Sequence, residues 1–165
     1  MNTKEEKMVN DDILLAHLFQ APIDLVFQAW THPEHLAQWF APAGCSIHYE
    51  KIDVRPGGTY HSCIHHPIHG DCWCIGTYLE VTVPHRLVYT CNLADAKGNP
   101  VTAEAAGKPT DQPHETIIIL EFAQQGDQTL LTLRQNMSTA LAKQTGAYQS
   151  WISMFEQLDH WLVRP

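Results

Sequence analysis

The stretch from Cys63 to Cys74, CIHHPIHGDCWC, gathers three cysteines and three histidines around a Pro and a Gly. Thiolate and imidazole are the donors that zinc takes in a tetrahedron. Whether they meet depends on strand register. If residues 61–65 and 72–76 pair with His65 opposite Cys72 and Cys63 opposite Cys74, then His61, Cys63, His65, Cys72 and Cys74 crowd one face. A slip of one residue sends the two groups to opposite faces and leaves no site. The spacing lacks the C-x-x-C turn that marks zinc ribbons. The expectation is therefore an ordinary hairpin with buried thiols and surface imidazoles, and no metal. A zinc cluster and a Cys63–Cys74 disulfide stand as the alternatives. A reducing compartment disfavours the disulfide.

Other chemistry is thinly represented. Cys63 beside His61 or His65 has the residue types for nucleophilic catalysis, but i, i+2 neighbours on a strand are not aimed at each other. Glu80 and Glu121 fall in strands with an outward expectation, and most other carboxylates fall in loops or on polar stripes. No nucleophile elbow, phosphate loop or dinucleotide fingerprint is present. The reading leans against an enzyme and calls for no cofactor. A large aromatic set remains: Trp39, Phe40, Tyr60, Trp73, Tyr78, Tyr89, Trp151 and Phe155, with Ser62 among them. These residues either fill a core or line a pocket for a flat hydrophobic ligand. Their polar tips need partners, for which His61 and Ser62 are candidates.

The elements that position them follow from periodicity. Residues 1–10 read as a flexible tail, and 11–165 as one domain. DILLAHLFQA from Asp12 is apolar on both parities and predicts a strand covered on both faces. Pro22 and Pro33 each open a short helix. The first carries the stripe Ile23, Val26, Phe27, Trp30, and the second Leu36, Trp39, Phe40. Six strand candidates follow, within 45–54, 59–65, 72–81, 86–93, 115–122 and 128–136. RPGG at 55–58 is a turn that Asp53 and Arg55 cap or pair across. Residues 94–113 have breakers and no apolar period, which predicts a lid or a flexible excursion. Tyr148, Trp151, Phe155, Leu158 and Leu162 form the stripe of a long C-terminal helix. An antiparallel sheet with an apolar face needs a cover, and that helix is long enough to supply it.

The segments APIDLVFQAWTHPEHLAQWFAP, IDVRPGGTY and GTYLEVTVPHRLVYT, with the late Trp and Leu helix, carry a resemblance. Together they resemble the homologues of the activator of the 90-kDa heat-shock protein ATPase. That family is a branch of the START-like (SRPBCC, birch-pollen-allergen-like) superfamily. The resemblance spans roughly Asp12 to Leu162. It implies an α+β helix-grip fold, a curved antiparallel sheet of about seven strands on a long C-terminal helix, with a hydrophobic cavity between them. It implies no single activity, since the superfamily includes ligand binders, cyclases and chaperone partners. The hairpin at Cys63–Cys74 is richer in His and Cys than the family pattern requires.

Composition bounds the partners. The 165 residues carry a net charge of −8, with only 10 Lys and Arg, so a nucleic-acid partner is not expected. No apolar run approaches a membrane span, and MNTKEEKMVNDD has no secretory core, which predicts a cytoplasmic protein. The first expectation is a protein that binds a small hydrophobic molecule. A chaperone-accessory module is the second and a metal-binding protein the third. An exposed edge strand would allow a homodimer.

Overall fold

A computed structural model describes residues 11–163. Seven antiparallel strands and four helices follow one another: β1 (Asp12–Phe19), α1 (Ile23–Thr31), α2 (Pro33–Trp39), β2 (Ser46–Ile52), β3 (Thr59–His66), β4 (Gly70–Thr82), β5 (Arg86–Ala94), β6 (Glu115–Gln125), β7 (Gln128–Ser138), α3 (Thr139–Thr145) and α4 (Ala147–Leu162). The sheet is open, in the order β1-β7-β6-β5-β4-β3-β2. The apolar stripes thus assemble into a helix-grip arrangement. The residues 1–10 read as a tail lie outside the described part.

One face of the sheet carries the core. Phe27 on α1 packs edge-to-face on Phe122 of β6, with ring centroids 5.2 Å apart. Trp30 meets Trp39, and Trp39 donates its indole N–H to the Ala29 carbonyl at 2.9 Å, fixing α2 against α1. Each such fully buried large apolar side chain stabilises the fold by roughly 1.5–3 kcal/mol. On α4, Trp151, Met154, Phe155 and Leu158 are buried, as the stripe requires. His17 of β1 and Asp159 of α4 meet at 2.8 Å and tie the helix to the sheet edge. The outer face is thinner, with Val88, Ile117 and Ile119 packed beneath Leu79. This small cluster explains why β6 is apolar on both parities.

Two expectations need correction. β1 is an edge strand and is covered on one face only: Leu14 is 62 % and Leu18 37 % exposed. A run apolar on both parities can therefore be an edge strand with stray surface leucines. The short helix α3 lies between β7 and α4, where no helix was expected. Its signals are local: Ser138 caps it by accepting from Leu141 N–H at 3.1 Å, and Gly146 ends it at φ +89°.

Candidate functional site

The site is built on the hairpin whose register the sequence left open. Ser62 lies opposite Cys74, Cys63 opposite Trp73, Ile64 opposite Cys72 and His65 opposite Asp71. This register is one residue away from the one that would gather the zinc donors. His61, Cys63 and His65 share a face with Trp73 and Asp71, while Cys72 and Cys74 share the other with Ser62. The five-residue metal cluster and the Cys63–Cys74 pairing are thereby overturned, and all five cysteines are free thiols.

Two glycines pin that register. Gly70, at φ +83°, closes a three-residue loop after His66. The His66 ring accepts the backbone N–H groups of Ile68 and His69, each at 3.0 Å. Gly76 lies opposite Tyr60, and a Cβ there would sit 1.9 Å from the Thr90 carbonyl oxygen and 2.5 Å from Tyr60 Cε1. Only glycine lets the Tyr60 ring lie flat across β4, where its hydroxyl donates to Thr90 O at 2.8 Å.

The inner face of this hairpin forms one wall of a cavity of about 230 Å³. Tyr60, Ser62, Cys72, Cys74 and Tyr78 come from β3 and β4, and Tyr89 and Cys91 from β5. Thr116 and Ile118 of β6 and Gln135 and Met137 of β7 continue the wall. Trp151 and Met154 of α4, Trp30 and Phe40 also line the cavity, as do Lys108 and Gln112 of the long excursion and His114 just after it. The excursion thus contributes to the lining of a cavity that α4 also borders.

Of the nine aromatic and polar candidates read from the sequence, Phe40, Tyr60, Ser62, Tyr78, Tyr89 and Trp151 line this cavity. Trp39 and Phe155 do not line it. They are buried beside it, Trp39 against Trp30 and Phe155 against Phe19. Trp73 faces the other way, against His61 and His48, because it sits one residue from Cys72 and Cys74 on a pleated strand. His61 is also outside; its Nε2 donates to the Asp95 carbonyl at 3.0 Å and it serves no tyrosine. Trp30, Cys91, Gln135 and Met154 line the cavity although the sequence did not single them out. Strand parity could have found Cys91, two residues from Tyr89.

Polar groups in the cavity are mostly paired. Trp151 Nε1 donates to Gln135 Oε1 at 2.8 Å, and Gln135 Nε2 donates to Thr116 Oγ1 at 2.9 Å. Two lining groups are buried without a hydrogen-bond partner within the protein, the donor Trp30 Nε1 and the acceptor Gln112 Oε1. An unmet buried polar group costs about 1–3 kcal/mol. Burial raises the phenols of Tyr60, Tyr78 and Tyr89, so they stay protonated. Three thiols form a row: Cys74 is in hydrogen-bond contact with both Cys72 and Cys91. The bond from Cys74 lowers the Cys72 thiol to about 6, against the opposing effect of burial and with help from the Lys108 ammonium. Cys63, on the outer side, is raised by burial.

Outside the cavity, Arg55 pairs with Asp53 at 2.7 Å across the RPGG turn. Arg86 meets Glu80 at 3.2 Å and Glu121 at 3.3 Å, which holds both strand carboxylates in surface ion pairs. Among the described residues no helix is long and apolar enough to cross a membrane.

The sequence profile of a family described as Activator of Hsp90 ATPase homolog 1-like protein matches residues 20–162. Known folds agree. A protein from Arthrobacter aurescens is 18 % identical with a TM-score of 0.80, covering 94 % of this chain and 87 % of that one. A protein from Chromobacterium violaceum is 25 % identical with a TM-score of 0.74, covering 94 % of this chain and 98 % of that one. The AHSA1 protein from Silicibacter pomeroyi is 16 % identical with a TM-score of 0.71, covering 92 % of this chain and 96 % of that one. No curated protein matches the sequence.

Proposed function

The chain belongs to the Activator of Hsp90 ATPase homolog 1-like family, and on that premise we propose that it binds a small, flat hydrophobic molecule between sheet and C-terminal helix. The domain from residue 11 onward acts as one binding unit. The observation that carries the reading is an apolar cavity of about 230 Å³ with one orphan donor and one orphan acceptor in its lining. An apolar cavity of about 150 Å³ holds a benzene, so this one has room for about two fused rings. Removal of apolar surface from water supplies the affinity, at roughly 25 cal/mol per Å² before ordering costs. Specificity comes from the orphans. The ligand presents an acceptor to Trp30 Nε1 and a donor to Gln112 Oε1, each relieving an unmet group.

The test is thermal stability of the protein in the presence of naphthalene and of 2-naphthol. Both are expected to raise the melting temperature, 2-naphthol by more, and Trp30→Phe is expected to shrink the difference between them. Failure of both compounds, and of a wider panel of bicyclic compounds, to shift the melting temperature removes the reading. The family match also favours a second reading, an accessory to a chaperone ATPase. Unchanged ATP turnover by a chaperone of that class on addition of the protein removes it.

A further inference from the structure

Five cysteines in 165 residues need no explanation singly, because a free cysteine packs as a small hydrophobe. Three of them are placed differently from the others. Cys72 and Cys74 alternate along β4 and Cys91 sits on neighbouring β5, all on the inner face and all lining the cavity. All three border the cavity, and Cys74 and Cys91 also pack against the core. Cys74 lies two residues from Cys72 and pairs with Leu93, two residues from Cys91, so it is the middle member of the row. A thiol has one proton to donate, so Cys74 serves one neighbour at a time.

We propose that the Cys72–Cys74–Cys91 row is a dithiol site that captures a soft, thiophilic centre bearing an apolar substituent, the chemical class of trivalent organoarsenicals. Three features of the site select that class. First, the row is linear. Among the described residues, the only trio of potential ligand atoms all within 4.8 Å of one another is His32, Glu34 and His35. The three sulfurs therefore form no triangular cup, and a centre that takes two thiolates fits better than one that needs three or four. Secondly, the walls are apolar, and a buried net charge is costly there. An arylarsine bound to two thiolates is neutral. Thirdly, the aryl group has a place to go, beside Tyr60, Tyr89 and Trp151. Access is through Cys72, which is half-buried and also borders the outer groove lined by His66, His69 and Lys108.

The capture step balances without an oxidant. An arylarsine oxide loses its oxygen as water, which carries off the two thiol protons, and two arsenic–sulfur bonds form. Arsenic stays trivalent and each sulfur ends as a thioether-like ligand of arsenic.

The experiment uses the full chain, reduced and without a histidine tag, with phenylarsine oxide as the probe and intact mass as the readout. The expected result is one equivalent retained through a monothiol wash and released by a dithiol. Cys74→Ser removes the shared member and is expected to lower retention at least about tenfold, since the second attachment is intramolecular. Cys72→Ser and Cys91→Ser alone each leave a neighbouring pair and lower it less, while the two together match Cys74→Ser. Cys45→Ser with Cys63→Ser leaves retention unchanged. Circular dichroism of each variant checks folding, and Cys74→Ala repeats the central substitution without adding a hydroxyl. Retention that survives both Cys74 variants, or an adduct mapped to Cys45 or Cys63, overturns the proposal. Naphthalene separates it from the ligand reading on which access to the cavity rests. Naphthalene binding without arsenical retention removes the dithiol site and leaves the cavity reading standing. Retention without naphthalene binding does the reverse.

Discussion

Trp151→Ala is the sharpest perturbation of the grip between α4 and the sheet. Trp151 is buried, lines the cavity, packs against Trp30, Phe40 and Phe155, and donates to Gln135 at 2.8 Å. Truncating a buried Trp to Ala costs about 3–5 kcal/mol, including the cavity left behind. For a chain of this size each kcal/mol lowers the melting temperature by about 2–4 °C, which gives a fall of roughly 6–20 °C. Trp151→Phe separates the two contributions. It keeps most of the apolar contact and removes the bond to Gln135, for about 1–3 kcal/mol. Urea unfolding followed by circular dichroism measures both. The same variants report on ligand. A site-specific binder at about 100 times its Kd adds about 2.7 kcal/mol to the wild type, and Trp151→Ala is expected to reduce that gain. A loss of stability below about 1 kcal/mol for Trp151→Ala would refute the reasoning, because a ring gripped on several sides cannot be removed so cheaply.

Three further outcomes follow from particular contacts. Gly76→Ala forces its Cβ onto the Thr90 carbonyl at 1.9 Å and is expected to cost several kcal/mol, on the order of 2–4, by urea midpoint; a neutral effect would contradict the register of β3 and β4. Cys72 is expected to alkylate with iodoacetamide along a pH profile that rises through about 6 and is flat by pH 8. Its proton is lost on the high side of that value, so at pH 7 the thiolate fraction is about 90 %, against about 3 % for an ordinary cysteine; peptide mapping showing the ordinary profile would remove the role assigned to Cys74 as donor. Gln135→Leu strands the Trp151 N–H and is expected to destabilise by about 1–3 kcal/mol, with Thr116→Val in the same background adding little because the chain is already broken; full additivity of the two would show that they do not act as one network.

Much of this architecture can be read from apolar periods. The stripe Trp151, Phe155, Leu158 identifies α4, and alternation in β3 to β7 gives the meander, because burial on one face imposes a period of two or 3.6 on the residues. Register is less legible. Shifting β3 against β4 by one residue leaves the pattern of apolar residues almost intact, since Cys, Ile and Trp occupy both parities of the hairpin. What decides it are two glycines, Gly70 at the loop and Gly76 under Tyr60, and their roles depend on backbone geometry that composition does not display. The same cause misplaces Trp73 in the sequence reading. The orphan Trp30 Nε1 and Gln112 Oε1 are illegible in principle, because the lack of a partner is a property of the assembled walls.

The central claim is that the space between sheet and α4 is a binding site. Chemical-shift mapping of the isotopically labelled protein titrated with 2-naphthol tests it most directly. The account predicts saturable shifts at Tyr60, Cys91, Gln135 and the Trp30 and Trp151 indole N–H signals. Shifts confined to the outer face around His48, His61 and Trp73, or none at all, would contradict it.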